Sequence, residues 1–376
     1  MIDAATRSPT EERARQYHRW QFRLSVAGFL LAAAYLVLLL TTGAAVSLRT
    51  TLVQLEIPWW LQLPLALVAL GLPYELISLP LHLVSGFWLP RRFGLLHHSF
   101  GRWLWDSVKG GLIGGGLLLI GAELVYGLMR ATEWWWLWAA GVFLAGYALL
   151  AWVAPIWLLP LFYRLTPLED GELRDRLVAL ANAVGVPVLG VWVADQSSKS
   201  RTANAAVTGL RGTRRIILFD TLIKEFSPDE VEVVLAHELA HHVQRDVQRG
   251  IVVQGALTLL TFWVADHALV AGAQALGFDG PDDLAGLPLF GLILMGVSMV
   301  LLPLANGWSR HVERQADDFA LRVTGNVSAF ISAMERLATL NLAERDPHPL
   351  KEFFLHSHPS IGRRIARARP LLRSSG

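Results

Sequence analysis

The sequence predicts a mainly α, polytopic helical membrane protein of about six spans, with a water-exposed α+β domain built around a metal site. Three observations predict it. Of the 376 residues, 53% are hydrophobic, and the mean hydropathy is +0.41. Apolar stretches long enough to cross a bilayer, which takes about 20 residues, recur along the chain. Between them stands a polar segment containing Val234-Leu-Ala-His237-Glu238-Leu-Ala-His241-His242.

The spans are expected at 24–46, 59–84, 111–129, 134–162, 251–276 and 287–305. The first is too long, with flanks too polar, for a cleaved signal peptide. Prolines in the second and fourth are expected to kink them. Trp134, Trp135, Trp136 and Trp138 read as an aromatic belt at one end of the fourth. Glu75, Glu123, Asp266 and His267 fall inside or near spans, where a charge costs roughly 2.5–3.5 kcal/mol unless it faces protein or water.

Basic residues alternate between the loops. Arg7 to Arg23 crowd the N-terminal tail, Arg49 stands alone in the next loop, and Arg91, Arg92, Arg102 and Lys109 fill the third. Arg130 is isolated, 164–249 is rich in Lys and Arg, 278–286 has neither, and the tail from Arg310 is basic again. By the positive-inside rule both termini and the His-Glu segment lie in the cytoplasm. The net charge of +2 thus reflects topology, and the chain carries no nucleic-acid footprint. It has no cysteine, which excludes disulfides and thiol nucleophiles.

A transmembrane domain is expected over 24–164 and 251–306, and a water-exposed domain over 165–250 and 307–376. The latter opens with an amphipathic helix (Leu173, Leu177, Leu180, Val184) closed by Gly185 and Pro187. β-prone runs at 188–194, 203–210 and 215–219 read as a small sheet. Ser227-Pro228-Asp229-Glu230 is a helix start, with Ser227 as N-cap and Glu230 completing a capping box. The last four residues read as a frayed tail.

On that helix His237 and His241 are four apart and aim two imidazoles at one point, and Glu238 can reach a water held there. This is the H-E-x-x-H arrangement of zinc peptidases, although two histidines sharing a surface helix would match it too. His242 is turned about 100° from His241 and is a poor ligand. With no cysteine, a third ligand must be His, Asp or Glu. Glu313 and Asp317, again four apart, are the best candidates, as ligand and as partner of a ligand histidine. A solvated charged face would have the same spacing, which does not choose between the two.

Five ordered pieces make the chain resemble the type-I CAAX prenyl endopeptidases, a family of membrane zinc metalloproteases that includes bacterial heat-shock membrane proteases. They are Thr202-Ala-Asn204-Ala205-Ala-Val-Thr-Gly209, Arg215-Ile-Ile-Leu-Phe-Asp220-Thr221, the His237 motif, Ser309-Arg310-x-x-Glu313-x-x-Ala316-Asp317, and His358-Pro359-Ser360…Arg364. Gly94 and Trp103–Lys109 resemble the family's cytoplasmic loop, and the match runs over 79–365.

The resemblance implies a zincin-like metalloprotease domain on a chamber of helices, with one Zn2+ per chain. It makes Glu313 the third ligand beside His237 and His241, and Asp317 the carboxylate behind them. It places Asn204 and Ala205 on an edge strand that binds substrate backbone, and His358 and Arg364 near the metal as stabilisers of oxyanion or substrate. The expected activity is hydrolysis of peptide bonds in membrane-associated or CAAX-type substrates, with Glu238 as general base. The lean architecture suits a prokaryotic cell-membrane protein, and a quality-control protease without prenyl specificity fits the same residues. Two other readings are weaker. An intramembrane site-2-type protease would use Phe278-Asp279-Gly280, but Asp279 is expected on the opposite membrane face. A transporter with a structural zinc would have no use for Glu238, and no fourth ligand is evident.

Overall fold

The computed structural model of the chain describes residues 8–209 and 211–374. Arg7 of the basic tail, Leu210 at the end of the second expected strand, and 375–376 of the expected frayed tail lie outside them. The membrane part opens with α1 (Pro9–Thr41), α2 (Ala44–Gln54), α3 (Trp59–Leu83), α4 (Leu89–Arg92), α5 (Phe100–Ala131), α6 (Trp135–Val153) and α7 (Leu159–Phe162). α3 runs into α4, and α6 into α7, through one π turn each, Val84–Trp88 and Ala154–Leu158. A proline ring clashes with the carbonyl four residues back, which for Pro90 and Pro160 belongs to Gly86 and Ile156. Both lie inside the π turns, where the widened turn moves the carbonyl off the ring; of the two only Pro160 falls in an expected span, the fourth, while Pro64, Pro73 and Pro80 of the second sit within α3.

The water-exposed part follows with β1 (Leu165–Pro167), α8 (Glu172–Ala183), β2 (Val191–Ala194), β3 (Ala205–Thr208), β4 (Arg215–Phe219), α9 (Asp220–Glu225) and α10 (Pro228–Val243). The chain returns through the membrane as α11 (Asp246–Leu276) and α12 (Leu287–Thr324), and ends in α13 (Val327–Leu340), α14 (Pro349–Leu355) and α15 (Ile361–Ser374). The four strands lie in the order β1-β2-β4-β3. β2 and β4 are parallel, with Val191 opposite Ile216, and β1 and β3 pair antiparallel on the outside. The sequence missed β1: three residues ending in proline carry no alternation, and Pro167 is tolerated because β1 is an edge.

Among the described residues six helices are long and apolar enough to cross a membrane; four of them contain an expected span, while 24–46 runs past the first helix, which ends at Thr41, and 134–162 past the fourth, Trp135–Val153. Their main contacts run α1 to α3, α3 to α5, α5 to α6, α6 to α11, α11 to α12, and back to α1. This is a closed ring. Six helices spaced about 8–10 Å apart leave a centre about 8–10 Å from each axis, the room of one missing helix. The ring therefore encloses a chamber, and little of each span is buried in protein.

One expectation inside the ring needs correction. Trp135 does not belong to the aromatic belt: it is 2% exposed, with its ring edge-on to Phe262. Its Nε1 donates to Asp266 Oδ1 at 2.6 Å, so that oxygen of Asp266 faces protein.

α12 does not stop at the membrane edge expected near residue 305. Its 38 residues extend about 57 Å, against a hydrocarbon layer of about 30 Å. It thus carries Glu313 and Asp317 out of the bilayer on one rigid rod. α10 is joined to α11 by Gln244 and Arg245 alone, Arg245 taking a left-handed φ of 58°. α10 lies at the centre of the water-exposed core. Val231, Leu235 and Leu239 bury against Leu177, Ile216, Leu218 and Leu222, and Val233 against Phe330 and Ile365.

Candidate active site

The expected capping box is present: Glu230 N–H donates to Ser227 Oγ, and Ser227 N–H to Glu230 Oε2. Glu230 also accepts from Ser332 and, at 3.0 Å, from Arg336, which ties the start of α10 to α13. The helix is thereby fixed in rotation as well as position. One turn apart on it, the rings of His237 and His241 stand 5.2 Å centroid to centroid.

A carboxylate holds each histidine from behind. His237 Nδ1 donates to Asp317 Oδ1 at 2.9 Å, leaving Nε2 to face Glu313 Oε2 at 3.2 Å. His241 Nδ1 donates to Asp246 Oδ2 at 3.0 Å, and its Nε2 lies 3.8 Å from Glu313 Oε1. One donor atom from each of His237, His241 and Glu313 lies within 4.8 Å of the others. The fit to a metal ion rests on one further atom. Among the described residues Glu313 Oε2 is buried without a hydrogen bond of good geometry, its 3.2 Å approach to His237 included, an orphan that a cation between the two imidazoles would satisfy. Two nitrogens and a carboxylate oxygen suit a divalent metal with an open position.

The electrostatics agree. Burial works to lower the His237 pKa, but the Asp317 and Glu313 carboxylates outweigh it and raise it to about 9. Burial raises the Glu238 pKa, against the pull of His237 and His241, as suits a proton carrier near neutral pH.

A single cavity of about 600 Å³ is lined by His237, Glu238, His241, Glu313, His358, Arg364, Asn204 and Ala205. The structure thus brings together every site residue expected from the sequence, with Asp317 just behind. His358 is exposed to the cavity, with Nε2 3.3 Å from Glu313 Oε1. Arg364 is turned the other way. Its Nε donates to Asp317 Oδ2 at 2.9 Å and its terminal nitrogen to Oδ1 at 2.5 Å, so the guanidinium braces the carboxylate behind His237. β3 is the free edge of the sheet and packs along α10, with Asn204 just ahead of it.

Four residues of the site were given no role in the sequence reading. For Asp246 the signal is a carboxylate five residues past His241, brought back by the left-handed Arg245. His242 donates from Nε2 to Val207 O at 2.9 Å, pinning β3 to the metal helix. Asn341 grips the backbone of Ala203 with both amide atoms, ahead of Asn204. Glu352, 3% exposed, accepts the Ser360 N–H and so shapes the His358 loop. Nothing local marks Asn341 or Glu352, because their partners are distant in sequence.

A ring of membrane spans that bears a buried His-His-Glu cluster beside a carboxylate base defines an integral-membrane metalloprotease. It acts on peptide bonds and lives in a bilayer. The chain belongs to peptidase family M48, whose model matches residues 167–371. Residues 4–164 match a second model, described as CAAX prenyl protease N-terminal, five membrane helices. The chain is similar to the "uncharacterized metalloprotease YhfN" of Bacillus subtilis, 27% identical over 361 residues, covering 94% of this chain and 84% of that one. It is similar also to CAAX prenyl protease 1 of Saccharomyces cerevisiae, 29% identical over 312 residues, 77% of this chain and 68% of that one. The crystal structure of S. mikatae Ste24p superposes with a TM-score of 0.80 at 26% identity, covering 97% of this chain and 90% of the other.

Proposed function

We propose that this protein is a zinc endopeptidase of a prokaryotic cell membrane that cleaves CAAX-type and other membrane-associated peptides at a cytoplasmic site. The observation that carries the reading is the orphaned Glu313 oxygen facing His237 and His241, with Glu238 in the same cavity. His237, His241 and Glu313 would hold one zinc, and Asp317 and Asp246 keep the two imidazoles in the tautomer that offers Nε2. Zinc, when bound, supplies the Lewis acidity that activates water and polarises a carbonyl at neutral pH. Glu238 takes the proton of the attacking water and later hands it to the leaving amine. His358 donates to the oxygen on which charge develops, a role typically worth about 3 kcal/mol. Arg364 acts through Asp317 rather than on the substrate. Asn204 and Ala205 offer the free edge of β3, to which an extended peptide adds as a further strand.

The division of labour follows the chain. Residues 24–164 and 251–306 form the membrane ring, and 165–250 and 307–376 the catalytic domain. Loop charges support the cytoplasmic side for both termini and the site. The CAAX-type substrate is supported by the name of the Saccharomyces cerevisiae relative. The test is metal analysis of the purified protein together with cleavage of one CAAX-ending peptide, with and without its prenyl group. The account expects one zinc per chain and faster turnover of the prenylated peptide. Equal turnover of both would leave a quality-control protease without prenyl specificity, and no cleavage of either would overturn the substrate class.

A further inference from the structure

A second cavity, of about 400 Å³, lies behind the catalytic one, and five arginines line it: Arg310, Arg314, Arg363, Arg364 and Arg367. Only two carboxylates share the lining, Asp317 and Glu352. Asp317 is committed to Arg364 and His237. Glu352 is paired with Arg363 at 3.4 Å, and Arg310, which feels the Glu352 charge but makes no ion pair among the described residues, gives one terminal nitrogen to the backbone carbonyls of Glu352, Phe353 and His356. Arg314 has no carboxylate partner among the described residues, and Arg367 has Asp318. The cavity therefore keeps an excess of positive charge, which calls for an anion.

Its depth says which anion. The apolar run of α12 ends at Ala305, and Arg310 lies five residues beyond it, about 7–8 Å along the axis. The headgroup layer extends about 5–8 Å beyond the hydrocarbon. Arg314 lies about 13–14 Å beyond Ala305 and leans back toward that layer, because helical side chains tilt toward the N-terminus, which here is the membrane.

A second observation points the same way. α14 packs on α12 at this level, with Asn306 Nδ2 donating to Phe354 O at 2.7 Å. α14 leaves Leu350, Phe353, Phe354 and Leu355 exposed. An exposed apolar helix at the membrane end of a basic cavity matches the two halves of a phospholipid. We propose that this face is a binding site for an anionic phospholipid, its phosphate among Arg310, Arg314 and Arg367 and its acyl chains against α14. The site rests on α12 crossing the bilayer and not on the metal or the peptidase reading.

The test uses the full chain in detergent micelles, titrated with phosphatidylglycerol and with phosphatidylcholine, and bound lipid counted by native mass spectrometry. Phosphatidylglycerol should be retained at least tenfold better. Arg314→Gln/Arg367→Gln should abolish that preference, and Arg314→Gln alone, which breaks no ion pair, should weaken it several-fold. Phe353→Ser/Phe354→Ser should lower retention of both lipids and keep their ratio. Peptide hydrolysis in the same micelles, retained by all three variants, controls for folding. Equal binding of the two lipids, or a preference that survives the arginine substitutions, would overturn the proposal. So would displacement of phosphatidylglycerol by micromolar inorganic phosphate or glycerol 3-phosphate, which would make the cavity a soluble-phosphate site.

Discussion

Each ligand-facing histidine is held by its own carboxylate, and the two carboxylates come from different parts of the chain. Asp317 arrives on α12, and Asp246 opens α11 directly after the metal helix. Asp246 is itself held by Arg249, whose same terminal nitrogen reaches Gln315 Oε1 at 3.1 Å. Such partners typically contribute 10–100-fold in metal affinity. Asp246→Asn should therefore raise the zinc dissociation constant by about that factor. A competition titration against a chromophoric chelator reads it, and an unchanged constant would remove Asp246 from the site.

The pH profile of binding follows from His237. Its metal-free imidazole keeps a proton up to about pH 9, because Asp317 and Glu313 more than offset its burial. Binding needs the neutral ring, so the proton must leave. Zinc affinity should fall at least tenfold for each pH unit below about 9 and level off above it. Calorimetry in buffers of different ionisation enthalpy would show the released proton, and a profile flat from pH 6.5 upward would contradict the pairing. Of these residues the sequence displayed His237, Glu238 and His241 outright, since helical period alone aligns them. Glu313 and Asp317 were candidates by spacing that the family resemblance singled out, and His358 and Arg364 became legible only through it. Asp246, Asn341 and Glu352 were not legible, because each acts across a fold that periodicity does not describe.

At the scale of elements, helices were easier to read than strands. The start of α10 was visible in Ser227 to Glu230, a local signal with a local cause. Strand ends were set by partners instead: β3 stops at Thr208, where Gly209 turns the chain with φ +90°. A Cβ at Gly209 would meet Thr213 O at 2.5 Å. Gly209→Ala should destabilise the protein by more than about 1 kcal/mol and disturb the substrate edge, raising KM more than it lowers kcat. Thermal melts and kinetics on one preparation check both, and an unaltered KM would detach β3 from substrate binding. The joint between α10 and α11 makes the opposite case. Arg245 holds a left-handed φ of 58°, so Arg245→Gly should be neutral or stabilising by up to about 1 kcal/mol.

At the scale of the whole molecule the six spans were legible from composition and loop charge, but their closure around a chamber was implied only by the family resemblance. Ring closure depends on which faces meet, and nearly uniform apolar surfaces conceal that. On the far side Arg49 pairs with Asp279 and Asp283, and Arg130 with Asp282, clasping the α11–α12 turn to the middle of α2 and the end of α5. The cysteine-free chain makes sidedness simple to measure. A cysteine at Ser200 should label from the cytoplasmic side and one at Gly280 from the other. Labelling of both from one face would break the six-span arrangement.

In the proposed mechanism one carboxylate, Glu238, does the proton work at a centre it does not help to build. Glu238→Gln tests it most directly, with bound metal and peptide turnover measured on the same purified sample. The account predicts full metal occupancy and turnover reduced to near zero, whereas Glu313→Ala loses metal and activity together. A Glu238→Gln protein that keeps its metal and cleaves peptide at the wild-type rate would contradict it.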